Sequence, residues 1–218
     1  MGAGLRFDAP ATKTNAAPAV ARRALCSLGF MERLVTQWSK FARSFQSMGF
    51  DVRLRSLALP DLVPKRSAIK WSGLGAFVSN VVVLEPKFPA GQLLLEYIGS
   101  KLAPNFGADI GGSDYLDIVA PSARRSALDN VAAGLAQQCG FWSVAPARTN
   151  DGQTLFLEAT CFPVFGEEPK QNRILIYVQA ADGQDIDASL RIIAIQAPIA
   201  WQWIDLGHGV PAVSEVQE

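Results

Sequence analysis

The residues able to carry acid–base chemistry are few and lie far apart along the chain. His208 is the single histidine, and it is distant in sequence from the carboxylates Glu96, Asp109 and Glu158. A histidine-based mechanism needs a partner within hydrogen-bonding reach, and no motif supplies one. Glu158 lies inside an apolar run and is the first residue to test for catalysis. One open alternative is therefore a small α+β cavity enzyme, a hydrolase or isomerase, that uses a buried carboxylate.

Motifs for metal, phosphate or nucleophilic chemistry are weak. Asp109, Asp114 and Asp117 could approach one another, but residues of this type at this spacing also make ordinary helix caps. Gly111-Gly112-Ser113 lacks the lysine of a phosphate-binding loop, and Ser100 has no G-x-S-x-G elbow around it. We therefore predict no catalytic residue and no metal site.

The three cysteines, Cys26, Cys139 and Cys161, form no C-x-x-C pair and have no neighbouring histidine. An odd number of widely separated cysteines favours reduced, buried side chains that behave as small hydrophobic groups. A redox-active or adduct-forming thiol is the lesser alternative.

Charge and hydropathy exclude several classes of partner. Twenty basic residues balance twenty acidic ones over 218 residues, so no net field favours nucleic acid or an anionic membrane. No apolar run reaches the roughly 18 residues of a transmembrane helix, and polar residues interrupt the only stretch that could act as a signal sequence. We expect a cytoplasmic protein with no membrane or nucleic-acid partner.

The N-terminal part divides into a flexible leader, residues 1–20, and an amphipathic helical region, residues 21–58. Apolar residues recur there at three- and four-residue spacing, and we expect the first helix to end at Gly49. Its large apolar face either covers the sheet of its own domain or pairs with a second copy of the chain, and both can hold. The candidate interface residues are Leu34, Trp38, Phe41 and Phe45.

The remaining pattern predicts a mixed α+β domain. Two antiparallel strands, residues 77–85 and 92–102, come before several short helical pieces and a helix over residues 121–138. Three further strands are expected over residues 141–148, 154–164 and 173–181. The C-terminal segment, residues 189–218, is too apolar for a tail, so we expect it to pack on the domain or on a partner subunit.

This order of elements, together with several short motifs, resembles the PAS fold. The motifs are the stretch from Leu59-Pro60 to Ile69, the strand ending at Pro86, Gly99-Ser100 after a strand, and Phe106-Gly107-Ala108-Asp109-Ile110-Gly111-Gly112 followed by Tyr115-Leu116-Asp117. More narrowly, the chain is similar to a small bacterial PAS-like regulatory family that joins an N-terminal helix to one PAS domain. An arginine of that family's pattern is replaced here by Glu96 or Tyr97, so the family's anion contact is not implied.

The resemblance implies a PAS-like domain over residues 59–188, with a five-stranded antiparallel sheet and helices on one face. It also implies a non-enzymatic sensory or regulatory module in bacterial signalling. Such a module acts through small-ligand binding, through association as a homodimer, or through docking to a signalling protein. A purely structural dimerisation protein is a further alternative.

The ligand would lie between the sheet and the short helices, and its identity stays unknown. Haem is disfavoured because no histidine lies near the helical cluster, and a photoreactive flavin is disfavoured because that cluster has no cysteine. The candidate lining residues are Tyr97, Phe106, Ile110, Tyr115, Leu116, Ile118, Trp142, Phe156 and Tyr177.

Overall fold

One antiparallel sheet of seven strands organises the part of the chain that the computed structural model describes, residues 45–58, 63–107 and 111–212. All of these residues belong to the compact unit Arg43–Glu218. The strands are β1 Val81–Lys87, β2 Gln92–Ile98, β3 Gly140–Thr149, β4 Thr154–Val164, β5 Arg173–Ala180, β6 Ile192–Ile195 and β7 Ala200–Ile204. The strand order is β2-β1-β5-β4-β3-β6, and β7 pairs with another part of β3. The α+β class with an antiparallel sheet is therefore confirmed.

The helices are mostly short, apart from one before and one after the first strand pair. They are α1 Phe45–Ala58, α2 Trp71–Leu74, α3 Ala103–Phe106 and α4 Pro121–Gln137. Single 3-10 turns occupy Arg66–Ala68, Gly75–Asn80, Phe88–Ala90, Tyr115–Ile118 and Pro169–Gln171. Pro121 fits the first turn of α4, where its missing N–H is not needed, and Gln138 ends the helix in the left-handed conformation with φ of 53°. None of the helices described here combines the length and the apolar character needed to cross a bilayer.

The strand predictions agree with the structure except at the ends of the first two strands. Residues 77–80 form a 3-10 turn, so β1 begins at Val81, and β2 ends at Ile98 rather than at residue 102. The antiparallel pairing of β1 with β2 is confirmed. The β3–β4 turn closes where predicted, with Gly152 at φ of 84° and its N–H donated to the carbonyl of Thr149.

The C-terminal segment contributes strands where the sequence indicated only packing. The five strands predicted from the sequence pattern correspond in chain order to β1–β5, and β6 and β7 extend the sheet beyond β3, so the sheet has seven strands where five were expected. β7 pairs with residues 140–144, and β6 pairs with residues 147–149. The long strand β3 therefore pairs with two short strands along the side that faces away from β4. This pairing leaves less of the β3 backbone without hydrogen-bond partners.

The prediction that Gly49 ends the first helix was wrong, because α1 continues through it to Ala58. A glycine within a helix costs only about 1 kcal/mol relative to alanine, so packing can override it. Here a Cβ at Gly49 would lie 3.4 Å from the ring of Phe77, so the small residue allows a close approach between α1 and that ring. Asp51 and Arg55 lie one turn apart on α1 and form an ion pair at 2.6 Å, which stabilises the helix beyond Gly49.

The sheet has two faces with different covers. We call the face that lies against α4 and the short helices the cavity face; Val82, Leu84 and Ile176 belong to it. We call the other the outer face; Tyr177 and its cross-strand neighbours belong to it. Phe50 of α1 is fully buried and stacks on Tyr177, with ring centroids 5.1 Å apart and an interplanar angle of 22°. The helix α1 therefore packs on the outer face.

Candidate functional site: a cavity between the sheet and α4

A cavity of about 110 Å³ lies between the cavity face and the helices that cover it. Strands β1 to β7 all contribute to its walls, together with α3, the turn at Tyr115–Ile118 and α4. The walls are mainly apolar, and representative lining residues are Leu84, Phe106, Val131, Phe141, Leu157 and Ile176. The cavity is part of the core itself, and it is not a groove on the surface.

Small side chains on facing elements explain why this space is open. Ala145 on β3 and Ala159 on β4 lie on the cavity face, and Ala123 and Ala127 lie opposite them on α4. Cores are normally packed to crystal density, so a run of methyl side chains on both sides leaves a void unless a bulky neighbour fills it. Among the residues that the structure describes, no bulky side chain does so.

The inner polar groups of the cavity are uncharged. Tyr115, Ser143 and Cys161 line it, and Ser143 and Cys161 are mostly buried. Burial, followed by the neighbouring Cys161 thiol, raises the pKa of Tyr115 well above its ordinary value. Burial likewise raises the pKa of Cys161 well above its ordinary value. Both groups therefore keep their protons at physiological pH.

The cavity opens to solvent between α4 and the segment before β7; we call this opening the entrance. Ser126 and Pro198 are exposed there, and Asn130 and Gln196 are partly exposed. The Gln196 N–H donates to the carbonyl of Pro146 at 2.8 Å, and the Ile199 N–H donates to the carbonyl of Val144 at 2.8 Å. These two bonds tie one side of the entrance to β3.

The candidate lining residues fall in four places. Phe106 and Tyr115 line the cavity, and Leu116 and Ile118 belong to the core around it. Trp142, Phe156 and Tyr177 lie on the outer face by their strand register. Tyr97 packs against Trp71, with ring centroids 4.9 Å apart. Ile110 lies outside the described residues.

Of the candidate interface residues, only Phe45 falls within the described ranges, as the first residue of α1. Leu34, Trp38 and Phe41 lie outside those ranges. The interface prediction for these four residues stays a prediction.

Glu158, the first candidate for catalysis, is buried on the outer face within a polar network. Its Oε1 accepts a hydrogen bond from Trp142 Nε1 at 2.6 Å, and its Oε2 accepts one from Gln179 Nε2 at 2.6 Å. The Tyr177 hydroxyl donates to Gln179 Oε1 at 3.1 Å. Burial, followed by the negative charges of Glu158 and Asp185, raises the pKa of Tyr177. We call Trp142, Glu158, Tyr177 and Gln179 the outer-face network.

The other candidate carboxylates have structural partners or are not described. Glu96 forms ion pairs with Arg66 at 2.8 Å and with Arg173. Asp109 lies outside the described residues. Asp114 accepts from the N–H groups of Leu93 and Leu116, both at 3.0 Å, and so caps the turn at Tyr115–Ile118.

Two glycines of the motif on which the resemblance rests are required by the backbone conformation and packing. A Cβ at Gly99 would lie 2.3 Å from the carbonyl oxygen of Ser79, which no side chain can tolerate. Gly107 has φ of 103°, in the region that favours glycine. His208 has an equally local setting, since its carbonyl accepts from Gln137 Nε2 at 3.1 Å. Across the described ranges, no group of three or more His, Cys, Asp or Glu side chains is placed to hold a metal ion.

Comparisons with known proteins add no relationship. No protein-family model matches the chain. A search of the curated proteins likewise found no significant match.

Sequence reasoning missed most of the cavity wall because it searched for large side chains. The residues that open the space are small, notably Ala123, Ser143, Ala145 and Ala159. A signal for them was present: small residues recur at every second position of β3, as Ser143, Ala145 and Ala147. Such a run marks a strand face that cannot fill its own side of a core.

Proposed function

We propose that this protein is a non-enzymatic, PAS-type sensory or regulatory module. It binds a small molecule in the cavity between the sheet and α4, acts in the cytoplasm, and passes its state to another protein. The observation that carries the proposal is the preformed core cavity, which has mainly apolar walls and a few uncharged polar groups. Cavities of this kind are typical ligand sites.

The order of elements supports the PAS part of the proposal. Over residues 81–180 the chain has two strands, then short helical pieces, then the longer helix α4, then three strands. This is the order on which the resemblance rests. The covering helix α4 and the short helical turns contribute to one wall of the cavity, where the resemblance places a ligand.

The positions of the carboxylates favour binding over catalysis. Glu158 lies on the outer face, with both carboxylate oxygens accepting hydrogen bonds, so the sheet separates it from a molecule in the cavity. Glu96 is held between two arginines. The alternative hydrolase or isomerase would need a carboxylate facing the cavity, and none of the described lining residues is charged.

A route for output is built into the sheet. The strands β4 and β5 face the cavity through Cys161 and Ile176, and they face α1 through Phe162 and Tyr177. Any ligand that displaces these strands changes the surface on which Phe50 packs. We therefore propose that α1 responds to cavity occupancy and changes the association of the protein with a second copy or with a signalling partner.

Mass spectrometry of the full chain, purified from its own host, tests the binding step. The mass in the native spectrum should exceed the mass calculated for the chain, and denaturation should release one small molecule. Filling the cavity with Ala159→Leu should remove the excess mass, while Thr160→Val, the next residue on the outer face, should retain it. If the native chain carries no ligand, and if a library of small molecules shifts none of its cavity methyl signals, the sensory proposal falls and the structural dimerisation alternative is favoured.

Light scattering on the full chain tests the association step. Substitution of Trp38 or Phe41 by alanine should lower the molar mass if these candidate interface residues join two copies. Trp71→Ala provides the control, because Trp71 is an exposed tryptophan packed only on Tyr97 among its ring contacts in the described chain. A molar mass that neither Trp38→Ala nor Phe41→Ala lowers would contradict the proposed interface.

A further inference from the structure

The proposed binding site carries enough detail to limit the chemistry of its ligand, and this step rests on the proposed function. We infer that the cavity takes a neutral molecule with a single aromatic ring and one small hydrogen-bonding group, of which phenol is the simplest example. Size, charge, polarity and wall composition each contribute to that inference.

Size limits the ligand to about one ring. The volume of about 110 Å³ is well above the roughly 10–15 Å³ that one water molecule needs by the same kind of measure. It is close to an engineered apolar cavity of about 150 Å³ that binds benzene, and it is below the roughly 300 Å³ at which drug-sized sites begin. A fused-ring cofactor or a long acyl chain does not fit without displacing core side chains.

Charge excludes ions. None of the described lining residues is Asp, Glu, Lys, Arg or His. Burial of an isolated ion among apolar walls is strongly unfavourable, and no described lining residue supplies a counter-charge. The tyrosine and the thiol of the cavity stay protonated, so they cannot supply a charge either. A carboxylate or an ammonium ligand is therefore disfavoured.

Polarity points to one hydrogen-bonding group on the ligand. The side-chain hydroxyls of Tyr115 and Ser143 form no hydrogen bond with any residue in the described ranges, although Ser143 is more than nine-tenths buried. Buried polar groups are nearly always paired. Ser143 and Cys161 are diagonal neighbours across β3 and β4, and Tyr115 lies near enough to Cys161 for that thiol to affect the pKa of the tyrosine. The three groups thus form one polar spot in an otherwise apolar cavity.

The walls favour an aromatic ring over an aliphatic one. Phe106 and Tyr115 contribute from the short helices, while Phe141 and Trp201 contribute from β3 and β7. Phe141 and Trp201 are stacked, with ring centroids 4.4 Å apart. Aromatic pairs in stacked or edge-to-face arrangements are stabilised beyond what their buried area alone contributes. An aromatic ligand can therefore extend an existing cluster.

Methyl NMR titration of the full chain with phenol, toluene, cyclohexanol and benzoate tests the inference. Mass spectrometry of the denatured protein first shows whether a molecule is carried through purification; a carried molecule that is charged or larger than one ring overturns the inference directly. On the empty protein, phenol should shift the methyl signals of Leu84, Ile176 and Val178 and bind about tenfold or more tighter than benzoate. It should also bind more tightly than cyclohexanol, which has the same polar group without the aromatic ring.

Two variants locate the polar and apolar contacts. Ser143→Ala should weaken phenol about three- to tenfold, the range expected for one lost hydrogen bond, and leave toluene unchanged. Ala159→Leu should abolish binding of both. The control Thr160→Val, on the outer face of the same strand, should change neither affinity.

The outcomes separate this inference from the proposed function. If benzoate or a larger molecule binds in this cavity and phenol does not, the ligand class is wrong and the sensory module stands. Equal binding of phenol and cyclohexanol overturns the aromatic requirement. If no probe binds and the native chain carries no ligand, the inference and the proposed function fail together. Phenol binding that Ala159→Leu leaves intact places the site elsewhere and overturns the inference.

Discussion

The two faces of the sheet are built from the same strands but differ in how densely they are packed. On the outer face, aromatic rings from α1 and the turn before β1 fill the space, and the side chains of the outer-face network are hydrogen-bonded to one another. On the cavity face, small residues of β3 and β4 meet small residues of α4, and a space remains. This difference shows that loose packing is confined to the cavity face and does not extend through the whole fold. One face is packed to hold α1, and the other is left open.

The largest expected effect comes from truncating the aromatic cluster on the outer face. Phe50→Ala should lower the free energy of unfolding by about 3–5 kcal/mol, because the fully buried ring leaves a new void among Phe77, Phe162 and Tyr177. Phe106→Ala, in the helical wall of the cavity opposite the sheet, should cost at least about 1 kcal/mol less, because that ring already borders on open space. Urea denaturation measures both. Equal losses would contradict the contrast between the faces.

The outer-face network should come next in size. Glu158→Gln replaces one accepting oxygen by a donating amide, so either Trp142 or Gln179 loses its partner in a buried site. The expected loss is about 1–3 kcal/mol of unfolding free energy. Glu96→Gln is the matched control at a partly exposed ion-pair site, and should cost no more than about 1 kcal/mol. The same variants address catalysis, since a Glu158→Gln protein that loses a turnover shown by the unmodified chain would revive the enzyme alternative.

Two adjacent positions of β4 test the faces against each other. Ala159→Leu grows into the cavity and should leave stability unchanged or raise it by about 0.5–2 kcal/mol. The same change in a filled core would cost about 1–3 kcal/mol. Thermal unfolding at matched conditions distinguishes the two signs, and a clear loss of stability would mean that the cavity face is already packed.

On the other side of the same strand, Thr160→Val should stabilise by about 1 kcal/mol. The Thr160 hydroxyl is fully buried and has no hydrogen-bond partner among the residues described, and valine keeps its shape without the unpaired oxygen. A destabilised valine variant would show that the hydroxyl has a partner under native conditions.

The smallest effect should be a pH dependence that leaves the cavity face untouched. Backbone N–H groups of Gly207 and Gly209 lower the pKa of the exposed Asp205 carboxyl, and the Ser189 backbone N–H lowers that of Asp187. A carboxyl whose pKa is lowered in the folded state stabilises the fold at pH values above its ordinary pKa. That stabilisation disappears as the pH falls through the pKa of the folded state. Unfolding midpoints between about pH 5 and pH 2 should fall less steeply for Asp205→Asn than for the unmodified chain. Parallel curves would contradict this assignment.

The sequence was sufficient to predict the elements whose ends carry strong turn residues. The helix α4 begins at Pro121, and β4 lies between Asn150-Asp151-Gly152 and the glycine-proline turn before β5, so their bounds follow from local chemistry. The course of α1 could not be predicted, since the close approach of Phe77 to Gly49 is a tertiary contact. β6 and β7 were missed as strands because their pairing partner, β3, lies far away along the chain.

The residues that line the cavity could be predicted from the sequence only in part, for a related reason. Which side of β4 faces inward depends on register, and its alternation is only rough because apolar residues lie on both faces. Aromatic residues such as Trp142 and Tyr177 were predicted to line the cavity, yet they lie on the outer face. A void is defined by what neighbouring elements fail to fill, so it emerges only when the elements are brought together.

Xenon binding to the ligand-free full chain, followed by methyl NMR, tests the difference between the two faces most directly. Xenon enters apolar cavities of this size without needing a polar contact. We predict pressure-dependent shifts for the methyl groups of Val82, Leu84 and Ile176, which lie on the cavity face. The methyl groups of Val81, Val83 and Leu175, their neighbours on the outer face, should not shift. Shifts on both faces, or on neither, would contradict it.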